Sequence, residues 1–408
     1  MPTESAPEDP DALLARALSS EVLEDPYPHY ARLLATAPVH LAGNGACHIS
    51  GHAPCERVLA DPRVGAWGSR QLDRIREDWR VHPACTTMYS GMLTQDPPLH
   101  TELRRPVSRA FTPRRVERLR EAVDTAVHRY LDALADSGAD GTAVDFMETF
   151  AFHVPALVIG DLLGVPRSDH LLLRDLVREW KLVFESAPSG EHLARADAAA
   201  VRLWAYLGDL VAERRARPRD DLVSALLGAD AGDRLSAADL LNTLASLYAA
   251  GLDTVSDLFG NGLVALLKEP EQADVVRTDP GAARTVTDEL LRYDPPGQML
   301  TRLAREDLRV DGLDVAAGTP LVLLIGAANR DPGVFAHPES LDVRRAPNPH
   351  LSLGHGAHHC LGASLSRLEG GIGFPALLKR FPRIGLAGPP TRRSGAVFRG
   401  YERVPVTL

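Results

Sequence analysis

Between Asp96 and Gly232 apolar residues recur at intervals of three and four, as over residues 116–134 and 203–216. That spacing stacks them on one face of a helix and predicts helix after helix. The longest such signal covers residues 234–268: Ser236 caps it, Asp239 stands three positions on, and Lys268 closes it just before Pro270. Its apolar positions (Leu240, Leu241, Leu244, Leu247, Leu252, Val255, Leu258, Phe259, Leu263, Val264) spread around the axis instead of forming one stripe. A helix apolar on most sides is a buried one. Upstream, a polar lead-in over residues 1–25 runs into DPYPHYARLL (25–34), which opens a short helix ending before Pro38; residues 39–42 and 47–50 read as small strands separated by glycine. After Pro295 the texture changes to short β-like runs, 308–310 and 320–324, broken by Gly312, Gly318 and Pro332. The class is mainly α with small β-sheets, and with no repeat, low-complexity linker or composition break the expectation is a single domain over residues 1–408.

Composition narrows the function classes. With 45% hydrophobic and 24% charged residues this is a folded globular chain, and a formal net charge of -9 argues against wholesale nucleic-acid binding, which needs a basic excess. The four cysteines (Cys47, Cys55, Cys85, Cys360) show no spacing of a disulfide framework or a paired-CxxC zinc site, so a reducing compartment is expected. The N-terminus lacks a positive region followed by an apolar one, and no uninterrupted apolar run reaches about 18 residues, so a cytoplasmic protein without a membrane span is expected.

The chemistry concentrates in LGHGAHHCLG (353–362), a glycine-punctuated loop leading a cysteine to the start of a helix. Glycines there permit tight turns and a close backbone approach to something flat, and a helix N-terminus favours the thiolate that a strongly donating iron ligand requires. A competing reading takes His355, His358, His359 and Cys360 as a structural metal cluster, but ligands this closely spaced rarely close a tetrahedral site. ELLR (289–292) puts Glu289 and Arg292 on one helical face, where they can pair. AGLDT (250–254) lies midway along the long helix, where a glycine costs about 1 kcal/mol and a buried Asp253 needs a partner. DPPLHTELRR (96–105) is a proline-started helix with His100 and Arg104 on one face, and AANRDP (327–332) follows the β-like runs. Gly370, Gly371 and Gly373 predict that the helix after Cys360 frays or stops early.

Taken in order, these segments resemble the bacterial cytochrome P450 family: the cysteine loop at every signature position but Leu353, which replaces the usual aromatic, then the ExxR helix with its proline exit (288–296), the oxygen-activation motif and the DPPxHxxxR segment. Val255 stands where many relatives carry a second threonine. The resemblance implies the P450 fold, a triangular, helix-rich domain with the long helix over a haem. It implies haem b with Cys360 as axial thiolate and Leu353, Gly354, His358, Gly362, Ala250 and Gly251 around it. His100, Arg104, Arg302 and His358 are then propionate partners, Glu289–Arg292 a structural charge network, and Asp253 and Thr254 the groups that deliver protons during dioxygen activation. Substrate contacts by family position are the 67–92 loop, Leu247, Ala250, Met299, Leu300 and Phe398, mostly apolar, so the pocket is expected to be largely apolar.

The implied activity is monooxygenation of a mostly apolar small molecule, a natural-product intermediate of the kind that such relatives oxidise. Alternatives within the resemblance are oxidative coupling, a peroxide-driven enzyme or a haem sensor; the intact Asp253–Thr254 pair favours dioxygen. No flavin or iron–sulfur segment follows Cys360, so electrons are expected from ferredoxin and ferredoxin reductase. Arg104, Arg105, Arg109, Arg114, Arg115 and Arg118 cluster in an acidic chain and suit docking of an acidic ferredoxin. A monomer is expected.

Overall fold

A computed structural model describes residues 8–22, 24–68, 72–73, 76–184, 190–229 and 234–408. The chain divides into two compact units, one made of Met1–Gly65, Asp257–Cys360 and Ile384–Pro405, the other of Ala66–Ser256, Leu361–Arg383 and Val406–Leu408. The division passes through the longest helix, Ala237–Lys268, whose 32 residues span about 48 Å.

The first unit holds a mixed sheet. Val39–Leu41 pairs antiparallel with Cys47–Ile49, which runs parallel to Pro320–Leu324, itself antiparallel to Met299–Ala304. Alternation along these strands feeds two apolar cores: Cys47, Ile49, Leu321 and Leu323 belong to one, while Leu324 joins Leu13, Leu14, Tyr30 and Leu33 in the other. The hairpin Leu308–Val310 with Leu313–Val315 turns at Asp311–Gly312, where both residues adopt positive φ. Expected strands and observed ones coincide here because turn residues bracket each short apolar run.

The second unit is helical. His153–Leu163 is buried along almost its whole length, and His170–Trp180 packs against Gly190–Ala216. Ser236 caps the long helix, accepting from the Asp239 amide at 3.1 Å and donating to its carboxylate at 2.6 Å. Two sequence expectations shift. Residues 116–134 divide into Pro113–Arg118 and Arg120–Ser137. The glycine-rich helix after Cys360 runs unbroken over Ala363–Arg380. Gly370 and Gly373 lie on its buried side with Leu365, Leu368, Phe374 and Leu377, so close packing outweighs the poor intrinsic propensity. Among the described residues no helix is long and apolar enough to cross a membrane.

Candidate active site

The cysteine loop is built from the first unit outward. Asn329 is fully buried; its side-chain oxygen accepts from the Leu351 amide at 2.8 Å, and its Nδ2 donates to Ser352 Oγ at 2.7 Å. Ser352 Oγ in turn donates to the Leu291 carbonyl at 2.6 Å, tying the start of the loop to the ExxR helix. Gly354 and Gly356 both take φ +69, and at Gly356 a Cβ would stand 2.5 Å from the Leu59 carbonyl oxygen, so glycine is required on both counts. The Cys360 amide then donates to the Leu353 carbonyl at 2.7 Å, with the Leu353 side chain buried beside it. Cys360 is exposed whereas Cys47, Cys55 and Cys85 are buried. It lies two residues before Gly362, the cap of Ala363–Arg380, so it is presented by the loop and not by the helix's first turn.

Behind the loop, Glu289 and Arg292 form a bidentate pair, 2.8 Å at each oxygen, with both side chains at 0% exposure. Two buried charges persist only when every remaining donor and acceptor is used. Arg292 also donates to the carbonyls of Asn329, Pro338 and Ser340; Glu289 also accepts from the Asp342 amide, Asn348 Nδ2 and Arg345 Nε, the last at 3.1 Å. Sequence reasoning found the pair but missed Arg345, Asn348 and Asn329, whose partners lie 37 to 59 residues away.

Arg302 sits on the strand Met299–Ala304, opposite Leu321, and donates to the Thr301 carbonyl at 2.9 Å. The bridge between Gly297 and Phe398 places Phe398 next to the start of that strand. Met299 and Leu300, neighbours on it, pack against different cores and so do not share a face. His358 ends the short turn Gly356–His358, partly buried.

In the second unit the long helix presents one opening. From residue 242 to 266 every position is buried except Ala249, Ala250, Gly251 and Thr254, of which Ala250 is exposed and the others partly buried. Thr254 Oγ1 donates to the Ala250 carbonyl at 2.7 Å. Asp253, 4% exposed, pairs with Lys181 Nζ, a partner that nothing in the local pattern indicates. Gly251 points away from the opening: a Cβ there would meet Ile159 Cδ1 at 2.9 Å, so this glycine admits a close neighbour from His153–Leu163. Leu247 is buried. His100 is buried on Leu99–Ala110, and burial, then the positive Arg104 one turn along, lowers its pKa. Of the 67–92 loop, residues 69–71 and 74–75 lie outside the described residues.

In the first unit, an exposed cysteine on a glycine-shaped loop suits thiolate ligation of a flat cofactor. Among the described residues no group of three or more His, Cys, Asp or Glu side chains is arranged to hold a metal ion, so the cluster reading of His355, His358, His359 and Cys360 gains no support.

Comparison with known proteins bears on the same residues. The cytochrome P450 family model matches residues 283–384, from the ExxR helix through the cysteine helix. The chain is 38% identical over 415 residues to the polyketide biosynthesis cytochrome P450 PksS of Bacillus subtilis, covering 98% of this chain and 99% of that protein. It is 36% identical over 414 residues to the cytochrome P450 monooxygenase PikC of Streptomyces venezuelae, covering 97% and 94%. Among solved structures, P450BioI in complex with a hexadec-9Z-enoic acid-ligated acyl carrier protein superposes with a TM-score of 0.86 at 33% identity, over 96% of this chain and 100% of that one. With the sealed helix, the buried Glu289–Arg292 pair and the exposed Cys360 all falling within these matches, the chain belongs to the cytochrome P450 family of monooxygenases.

Proposed function

We propose that the protein binds haem b through the Cys360 thiolate and oxidises a mostly apolar small molecule, a natural-product intermediate, by hydroxylation, epoxidation or a related reaction. The observation that carries the reading is the exposure of Cys360 on a loop held by Asn329, Ser352 and two positive-φ glycines, in a chain whose other cysteines are buried. When bound, haem supplies dioxygen activation and oxygen transfer. The chain's residues hold and shield it: His100, Arg104, Arg302 and His358 take the propionates, Leu353 packs beside the sulfur, and Glu289–Arg292 with Arg345 fixes the segment beneath. Thr254 Oγ1 and the Asp253 carboxylate hand protons inward at the opening around Ala250, and Leu247, Ala250, Met299, Leu300 and Phe398 contact the substrate.

Electrons come from a ferredoxin and its reductase, docking on the exposed arginines Arg105, Arg109, Arg114 and Arg118. The names of the relatives, which include PksS in polyketide biosynthesis and the monooxygenase PikC, support a natural-product substrate. Both compact units serve one catalytic domain in a monomeric, cytoplasmic enzyme. The test is the difference spectrum of the dithionite-reduced, carbon monoxide-treated protein: a Soret band near 450 nm, on the order expected for thiolate ligation, supports the assignment, and a band near about 420 nm in undamaged protein, or no haem, overturns it.

A further inference from the structure

The four residues that lead into the cysteine loop are each bonded to another part of the first unit. The Pro349 carbonyl accepts from the His52 ring at 2.7 Å, and the His52 amide is itself anchored on Asp331 Oδ2 at 2.9 Å. His350 Nε2 donates to Asp288 Oδ1 at 3.0 Å, the Leu351 amide donates to Asn329 Oδ1, and Ser352 Oγ donates to the Leu291 carbonyl. Asp288 and Leu291 stand three apart on the helix Val286–Tyr293, so the segment is attached to that helix at two points about one turn apart. One hydrogen bond lets a chain swing about it, whereas two fix its direction. Past Ser352 the loop closes on itself, the Gly354 amide donating to the Leu351 carbonyl at 2.8 Å and the Cys360 amide to the Leu353 carbonyl at 2.7 Å. The direction that residues 350–352 take from the helix is therefore carried to Cys360.

A histidine that only filled space at position 350 would be a poor choice. Its side chain is 2% exposed, and ring Nδ1 is buried without a protein partner. A buried polar atom left unpaired lowers stability, and a leucine would fill the space without that loss. What the ring supplies instead is Nε2, which meets a carboxylate 62 residues away in the chain. Glu289 and Arg292, on the same helix, bond to residues between 329 and 348. His350 is where that helix takes hold of the base of the loop. A local loss of stability kept together with a directed contact marks a residue that orients another.

Resting on the reading that Cys360 ligates haem, we propose that the His350–Asp288 bond is a positioning device for the Cys360 thiolate. Together with the Ser352–Leu291 bond it sets the angle at which the loop leaves the helix Val286–Tyr293, and so holds the sulfur in the orientation in which it stays bound as a thiolate. His350 acts through the loop and is not itself a ligand.

The test uses the haem-loaded, dithionite-reduced, carbon monoxide-treated protein and times the conversion of the band near about 450 nm to one near about 420 nm. Each protein is held at the same interval below its own Tm, so that a loss of global stability does not enter the comparison. His350→Ala is expected to convert about tenfold faster than the parent, and His350→Gln, whose amide nitrogen still reaches Asp288, within about threefold of the parent rate. Leu33→Ala, a truncation in the other apolar core of the same unit, should lower Tm and leave the conversion rate at the parent value. Asp288→Ala opens the same bond from its more exposed end and serves where His350→Ala does not fold. It should speed conversion to the same degree, and Asp288→Asn, which keeps an accepting oxygen, should not. A parent-like rate in the alanine variants, an equal acceleration in Leu33→Ala, or Gln and Asn variants as fast as the alanine ones would each overturn the positioning role and leave haem ligation standing. A parent protein without the band near about 450 nm overturns the inference together with the reading it rests on.

Discussion

Lys181 Nζ donates to the carboxylate of Asp253, joining the turn after His170–Trp180 to the long helix just beside its opening. The Asp253 side chain is nearly sealed and that of Lys181 is 19% exposed, so the ion pair fixes the carboxylate in place at the edge of the buried interior. The charge of Lys181 offsets the desolvation that a carboxylate in the middle of a buried helix would otherwise suffer.

Removing one member of a fully buried pair costs about 3–5 kcal/mol, and the partial exposure of Lys181 brings the expectation for Lys181→Met to about 1–3 kcal/mol. Asp253→Asn in the Lys181→Met background should recover most of that loss. Denaturant unfolding of the four proteins in the double-mutant cycle measures the coupling; additive losses would show that the two side chains do not depend on each other.

Thr254→Ala removes the hydroxyl that donates to the Ala250 carbonyl without opening a core cavity, so stability should change by less than about 1 kcal/mol. Product formed per electron pair consumed should nevertheless fall well below the parent value, with consumption continuing. Comparing cofactor oxidation with product yield checks this, and full coupling in the variant would remove Thr254 from proton delivery.

Arg292→Ala strips a 0%-exposed guanidinium from Glu289 and from three carbonyls. Glu289 then stays buried with Arg345 as its remaining counter-charge, and a loss of about 3–5 kcal/mol is expected. Arg292→Lys should recover little, because an ammonium cannot reproduce the two-pronged contact. Unfolding monitored by circular dichroism measures both.

Glu369, on the buried side of the cysteine helix, has an oxygen without a protein partner, and burial pushes its pKa up to about 8. In the unfolded chain the same group titrates near about 4.3. The folded protein therefore binds more protons than the unfolded one across that interval, and stability falls as pH rises from about 4 to about 8, then levels. Glu369→Gln should abolish this slope, matching the parent near about pH 4 and exceeding it near about pH 9. A Tm-versus-pH series reads the difference, and parallel curves would show that Glu369 is not the titrating group.

Much of the site is written in local pattern. The Ser236–Asp239 cap and the Lys268–Pro270 exit delimit the long helix, the three-residue spacing of Glu289 and Arg292 pairs them, and glycines mark the cysteine loop. Each depends on residues within a turn or two of one another, where backbone geometry alone sets the distance. What only the tertiary structure decided are the long-range partners: Lys181 for Asp253, Arg345 and Asn329 around Glu289–Arg292, Ile159 against Gly251, and Gly91 against Ser246. The persistence of the glycine-rich helix Ala363–Arg380 belongs with these, since neighbours packed on Gly370 and Gly373 override intrinsic propensity. Sequence periodicity tells which face of an element is buried, but not which side chain, scores of residues away, folding will bring against it.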